Sequence, residues 1–322
     1  MSPAPRHGTI VCASPSGTHR MAYVEWGDPD NPRVLVCVHG LSRTGRDFDV
    51  LASRMAQTHR VICPDVVGRG KSDWLRDPAG YILPQYVGDM LALFTQLHLT
   101  RLAYVGTSMG GLIGMLLAAM PITPIARMVI NDVGPHIEPS SLLRLRAYLD
   151  EVATRNVTAA APSEAASGAP RQTPAMPMFA TAQEGVDYLV AHSTGFGPHT
   201  PEQWRALNAP LLKRVYGADG GIAGYAIRAD PGIADAFKMA ATLDAAMLEA
   251  AEAGMWHAFE SIRCPTLIVR GAESDLFSAQ TLARMLACGP RFSSVTVPGV
   301  GHAPTFVDPA QTGLLTQFLH AS

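Results

Sequence analysis

Short apolar runs alternate with longer stretches of mixed polarity at both ends of this 322-residue chain. Val34 to His39, Arg60 to Cys63, Leu102 to Val105, Ala126 to Asn131, Thr266 to Arg270 and Ser293 to Val297 are short and rich in branched apolar residues, the pattern of buried strands. Thr44 to Met55, Leu83 to Leu97, Met109 to Met120, Ala279 to Leu286 and Pro309 to His320 are longer and read as helices. Near the N-terminus, Thr9 to Cys12 and Arg20 to Trp26 lie close enough for an antiparallel hairpin. Alternation of this kind predicts an α/β fold, a mostly parallel sheet covered by helices on both faces.

The alternation stops between about Gly134 and Met255. Ser140 to Ala153, Ala182 to His192, Pro201 to Val215 and Asp244 to Gly254 read as helices there, which predicts a helical cap at 135–255 inserted into a core of 1–134 and 256–322. Within the insert, 156–178 is rich in Ala, Pro, Ser and Gly and is expected to be an irregular or mobile loop. Asn156-Val157-Thr158 matches a glycosylation acceptor, but no secretory signal accompanies it and the match is read as accidental. Met176, Phe179, Trp204, Tyr225 and Trp256 are among the residues available for an apolar, adaptable roof.

With 48% hydrophobic and 16% charged residues, the composition suits a large core with room for a deep pocket. The net charge is −2 and the 25 basic residues are scattered, so neither nucleic acid nor an anionic lipid surface is an expected partner. The N-terminus lacks a signal-peptide pattern and no apolar run approaches a membrane span; a cytoplasmic protein is expected. Five cysteines form no CxxC pair and read as free, mostly buried thiols, and the 11 histidines form no HExxH, so no metal or other cofactor is expected. The oligomeric state leaves no mark on the sequence.

Gly106-Thr107-Ser108-Met109-Gly110 joins a strand to a helix and changes the picture. A serine at such a turn is strained and exposed, and glycines on either side remove the collisions that side chains would cause. The Met109 amide then lies at a helix N-terminus, suited to receive an oxyanion. Acyl transfer also needs a base and an acid to orient it. His302 follows the last strand and Asp275 the penultimate one, in the order nucleophile, acid, histidine. Strand ends in a parallel sheet share one edge, so these loops can converge. Asp132, after the strand that follows Ser108, is the alternative acid; Asp275 is preferred for its match to that order, and neighbouring Glu273 is expected to be an exposed loop charge. Leu41, after His39-Gly40, is assigned the second oxyanion amide, with His39 supporting the loop. Ser42, Trp204, Trp256 and His257 are candidates to line the pocket.

Together, His39-Gly40, Asp65-x-x-Gly68-x-Gly70-x-Ser72, Gly106-x-Ser108-x-Gly110-Gly111, Asp275 and His302 resemble the α/β-hydrolase-fold serine hydrolases with a cap. The resemblance implies a cofactor-independent enzyme acting on a small-molecule ester or related acyl substrate: a carboxylesterase, or alternatively a lactonase or carbon–carbon bond hydrolase with the same triad. A ligand-binding or signalling protein on the same scaffold is the alternative from another class. Serine at 108 disfavours the aspartate-nucleophile dehalogenases and epoxide hydrolases, and Leu41-Ser42-Arg43 lacks the proline of haloperoxidase-like members. Gly68-Arg69-Gly70-Lys71-Ser72 mimics the end of a phosphate-binding loop. The first glycine of that pattern is missing, and Asp65 would repel phosphate, so this segment reads as a structural turn.

Overall fold

A computed structural model describes residues 4–157, 178–240 and 244–320. The expected irregular loop at 156–178, the Asn156 acceptor motif and Met176 fall wholly or largely outside the described residues. The strands are β1 (Arg6–Ser14), β2 (Gly17–Trp26), β3 (Val34–Val38), β4 (Arg60–Pro64), β5 (Leu102–Thr107), β6 (Ile125–Asn131), β7 (Leu212–Tyr216), β8 (Ile222–Ile227), β9 (Thr266–Gly271) and β10 (Phe292–Val297). Eight of them form one sheet in the order β1-β2-β4-β3-β5-β6-β9-β10. The β1–β2 hairpin is antiparallel, β2 meets β4 antiparallel, and every later pairing in this sheet is parallel. This is the mostly parallel sheet that the alternation predicted.

Period-two patterning sorts the central strands between two cores. Val34, Val36, Val38, Tyr104, Met128, Ile130 and Ile268 point to one face, Leu35, Cys37, Val105, Val129, Leu267 and Val269 to the other. The first face is covered by helices α2 (Leu83–Gln96), α3 (Met109–Ala118), α8 (Ala245–Ser261) and α9 (Ala279–Ala287), the second by α1 (Asp49–Met55) and α10 (Pro309–His320). Each central strand is therefore apolar on both sides, which is why it appears in the sequence as an unbroken apolar run.

The insertion between β6 and β9 holds α4 (Pro139–Val157), α5 (Ala182–Ala191), α6 (Pro201–Asn208), the antiparallel β7–β8 hairpin, α7 (Gly232–Ala240) and the start of α8. The hairpin departs from the helix expected over Pro201 to Val215. Pro210 has no amide to donate, so α6 stops at Asn208; Leu212 to Tyr216 then runs as a strand into the Gly217-Ala218-Asp219-Gly220-Gly221 turn. Phe179, Val186, Leu189, Leu211, Leu212 and Ile227 give the insertion a small core of its own. The boundary expected at 255 falls inside α8, which begins at the Asp244 cap and carries Trp256 and Phe259 into the core on the α3 face of the sheet.

The parallel register sets the loops after β3, β5, β6, β9 and β10 along one edge: Val38 pairs with Gly106, Thr107 with Asn131, and Asn131 with Val269. His39, fully buried, knits two of the neighbouring loops. Its Nδ1 donates to the Gly40 carbonyl at 2.7 Å, and its Nε2 accepts the Val66 amide at 2.9 Å, which defines a neutral ring. Burial lowers its pKa to about 3, against an ordinary 6.5. The unfolded chain therefore binds more protons between those values, so the stability from this site is complete above about pH 6.5 and declines as pH falls towards 3. In thermal melts from pH 7 to pH 4, His39→Asn should flatten the decline in Tm seen for the parent; an identical pH slope would contradict this.

Candidate active site

Ser108 stands between β5 and α3 with φ 52° and ψ −117°, a conformation that L-residues rarely adopt. Backbone contacts leave little room for anything else. A methyl group at Gly106 would lie 2.3 Å from the Gly110 carbonyl oxygen, and one at Gly110 would lie 2.1 Å from that of Val38. Helix α3 can meet the sheet this closely only with glycine at both positions. The Ser108 carbonyl accepts the amides of Gly111 and Leu112, so Met109 opens the helix with its own N–H at the positive end.

Three side chains from three loops form a continuous hydrogen-bonded line. Ser108 Oγ lies 3.0 Å from His302 Nε2, and His302 Nδ1 lies 2.7 Å from Asp132 Oδ2. Asp132 is wholly buried, and its oxygens also accept the Gly271 amide at 2.8 Å and the Ser274 hydroxyl at 2.6 Å. Asn131, one residue earlier, donates to Thr107 Oγ1 and the Pro304 carbonyl, tying β6 to the loops that carry Ser108 and His302.

Asp275, the expected acid, does not meet His302. Asp275 is about half exposed and faces α4, where its carboxylate pairs with Arg144 and its carbonyl accepts the Ser141 hydroxyl. Its position in chain order was suitable, but four residues beyond the end of β9 the loop has already turned outward. That loop supplies Ser274 to hold Asp132 instead. Asp132, the alternative acid of the sequence reading, is the carboxylate that meets His302, and Asn131-Asp132 at the very end of β6, the strand neighbouring β5, is the signal for it.

The loop after β3 comes close to Ser108: a methyl group at Gly40 would be 3.6 Å from Ser108 Cβ. Leu41 and Ser42 line a cavity of about 550 Å³ together with Ser108 and His302. Tyr148 of α4 lines the same cavity as Ser42, and burial pushes its phenol above its ordinary pKa. Arg43 fastens the insertion to this loop, donating to Asn208 Oδ1 and the Leu207 carbonyl while its other side pairs with Asp47. On the far side, the Gly301 amide donates to the Gly195 carbonyl at 2.7 Å. Residues of the insertion thus share the cavity wall with Ser108 and contact the loops on both sides of it.

None of the other expected lining residues, Trp204, Trp256 and His257, is part of the wall; Trp204 stacks on Phe196, which is. Helix α8 buries Trp256 in the core, against Phe259 and under the Arg284 guanidinium, which turns the adjacent His257 outward into solvent. Glu273 is an exposed loop charge at the rim. Arg43, Arg144 and Tyr148 also stand in the wall, where no local pattern foretells them, because their helix and loop meet only through the insertion.

Among the described residues, one group has metal-ligand chemistry: Cys12, His19 and Asp89, buried where the β1–β2 hairpin meets α2. Asp89 already accepts from Gln85 Nε2 at 2.7 Å and lies 3.0 Å from His19 Nε2, and burial pushes the Cys12 thiol well up. Asp89 is thus already engaged by protein donors under the hairpin, while the buried Nδ1 of His19 has no hydrogen-bond partner among the described residues. The Gly68–Ser72 segment is equally occupied: Asp65 accepts the amides of Gly45 and Lys71, and a methyl at Gly70 would strike Asp65 at 2.2 Å.

The alpha/beta hydrolase family model matches residues 35–312. The chain is 50% identical over 318 residues to a 3-hydroxybutyrate-oligomer hydrolase of Cupriavidus necator, covering 99% of both chains. It is 25% identical over 292 residues to a 2-(acetamidomethylene)succinate hydrolase of Mesorhizobium japonicum, covering 89% of this chain and 88% of that one. A crystal structure of an alpha/beta hydrolase from Novosphingobium aromaticivorans superposes with a TM-score of 0.75 at 33% identity, covering 98% of this chain and 99% of that one. No helix of the described residues is long and apolar enough to cross a membrane. The chain belongs to the alpha/beta hydrolase family and is a hydrolase.

Proposed function

We propose that the protein is a serine esterase that cleaves oligomeric esters of short hydroxy acids, with 3-hydroxybutyrate oligomers as the substrate class. The observation that carries the reading is the line Asp132–His302–Ser108 at the floor of the cavity. His302 Nε2 takes the Ser108 proton as Oγ attacks the ester carbonyl, and the amides of Leu41 and Met109 receive the oxyanion. The imidazolium, stabilised by the Asp132 carboxylate, then protonates the departing alcohol. Water activated by the same ring releases the acid. In this scheme the insertion is the cap that encloses the substrate.

The choice of substrate is supported by the relative at 50% identity and by the charges in the wall. A hydroxy-acid oligomer carries a carboxylate at one end. Arg43 is already saturated by Asp47, Asn208 and Leu207, whereas Arg144 is bound to a half-exposed aspartate, an ion pair of little net strength. A substrate carboxylate can replace Asp275 as its partner at small cost. A cavity of about 550 Å³ is of ordinary size for a small organic ligand.

Ser108→Ala should lose several orders of magnitude in turnover of hydroxybutyrate oligomers and of p-nitrophenyl butyrate, and should abolish fluorophosphonate labelling; near-native turnover would defeat the mechanism. Asp132→Asn should lower kcat by about 10⁴-fold, whereas Asp275→Asn should stay within a few-fold of the parent. The reverse ranking would return the acid to Asp275. Arg144→Ala should raise KM for the 3-hydroxybutyrate dimer and trimer by about 10-fold and leave p-nitrophenyl butyrate unaffected, since a charged hydrogen bond contributes about 1.5–3 kcal/mol. Equal effects on charged and neutral esters would remove carboxylate recognition from this residue.

A further inference from the structure

The Gly68-Arg69-Gly70 turn holds an arginine that the mechanism above does not use. Arg69 is 1% exposed, one of the largest side chains so fully buried among the described residues. Gly68 and Gly70, both at positive φ, fold the chain so that the side chain between them turns inward. The segment that imitates a phosphate loop is thus the seat of a buried cation.

Its contacts converge on the two residues whose amides are assigned to the oxyanion. Nε donates to the Leu41 carbonyl at 2.9 Å, and Nη2 lies 3.8 Å from Met109 Sδ. Nη1 donates to the Val67 carbonyl at 2.8 Å and to the Tyr86 hydroxyl at 3.0 Å. The rings of Tyr86 and Tyr81 lie 5.0 and 5.6 Å from the guanidinium carbon, and the Tyr81 hydroxyl donates to Asp230 Oδ2. All the polar atoms in these contacts are neutral; the Asp230 carboxylate is reached through the Tyr81 phenol.

Leu41 is held from both sides. The Gly40 carbonyl, which shares a peptide plane with the Leu41 N–H, accepts from His39, while the next carbonyl accepts from Arg69. Two consecutive peptide planes are thereby fixed, and the N–H between them is aimed rather than free to rotate away. A buried guanidinium also carries a full positive charge in a medium of low dielectric, where its interaction with an anion is far stronger than in water. Such a charge favours the state in which negative charge develops.

We propose that Arg69 is a positioning residue for the oxyanion site: it fixes Leu41 and Met109 together, and its charge favours the tetrahedral intermediate over the bound ester. The proposal rests on the reading that the Leu41 and Met109 amides receive the oxyanion. It predicts an effect on kcat and on transition-state affinity with little effect on ground-state binding, because Arg69 itself lies behind the loop and does not touch the ester.

The test uses the full chain with Arg69→Met, of similar length but neutral, and Arg69→Lys, which keeps the charge without the fork. Each is assayed for kcat and KM on p-nitrophenyl butyrate, for affinity towards an alkyl boronic acid that forms a tetrahedral adduct on serine, and for Tm. In Arg69→Met, kcat should fall about 100-fold, boronate affinity should fall in parallel and KM should stay within about 3-fold, with Arg69→Lys recovering about 10-fold of the loss. A folded Arg69→Met with parental kcat and boronate affinity, or one whose loss lies in KM, would overturn the assignment. If Arg69→Met does not fold, Arg69→Lys decides: about a 10-fold loss in kcat matched by boronate affinity supports it, and parental values overturn it. Ser108→Ala measured alongside separates the two levels. If its turnover is lost while the Arg69 variants behave as the parent, only this assignment fails; if it stays active, the serine mechanism itself fails.

Discussion

Backbone approaches backbone at Gly106 and Gly110 with no room for a methyl group, and the placement of the reactive loops follows from that contact. It lets α3 start immediately after β5, and it forces Ser108 into a conformation costing about 1–3 kcal/mol. The cost is met by burial of the surrounding sheet, whose central strands are apolar on both faces. The strain in turn keeps the Ser108 hydroxyl at the edge where the other loops arrive. A one-carbon side chain at either glycine would push the helix from the sheet and move the serine, the helix N-terminus and the Met109 amide together.

Around that fixed point the polar groups act as ties between loops. Asp132 is bound by the Gly271 amide and the Ser274 hydroxyl as well as by His302, so the ends of β6 and β9 hold the imidazole between them. His39 links the loop after β3 to the loop after β4, and Arg69 links both to the start of α3. Arg43 and Gly195 carry the same function into the insertion. Each buried polar group in this set finds partners within the fold, the condition under which burying it is tolerable. The insertion is consequently attached through the site itself, which couples the shape of the cavity to the loops that bear Ser108 and His302.

The fold was legible because it rests on local patterns. Apolar runs bounded by turn residues mark the strands, and the Gly106–Gly110 turn marks its own geometry, since only glycine meets such close contacts. The β7–β8 hairpin was not read: its strands are short, only partly buried, and preceded by a helix that the periodicity extended too far. Trp256 and His257 were misjudged because adjacent residues on a helix point in different directions, and which one faces the core depends on how α8 meets α3.

The sequence by itself determined the fold class, the strained serine, the histidine that reaches it and the loop that approaches it, because each is written in contiguous residues whose chemistry permits few alternatives. Tertiary structure alone decided between Asp132 and Asp275. Both follow strands that end on the same edge and both lie between Ser108 and His302, so the chain order that favoured Asp275 does not in fact separate them. What separates them is where each carboxylate goes: Asp132 stays buried beside β9, with three donors around it, while Asp275 rides a loop that has turned towards α4 and solvent. Arg69 belongs to the same category, a charge whose meaning appears only when Leu41, Tyr86 and Met109, far apart along the chain, close around it.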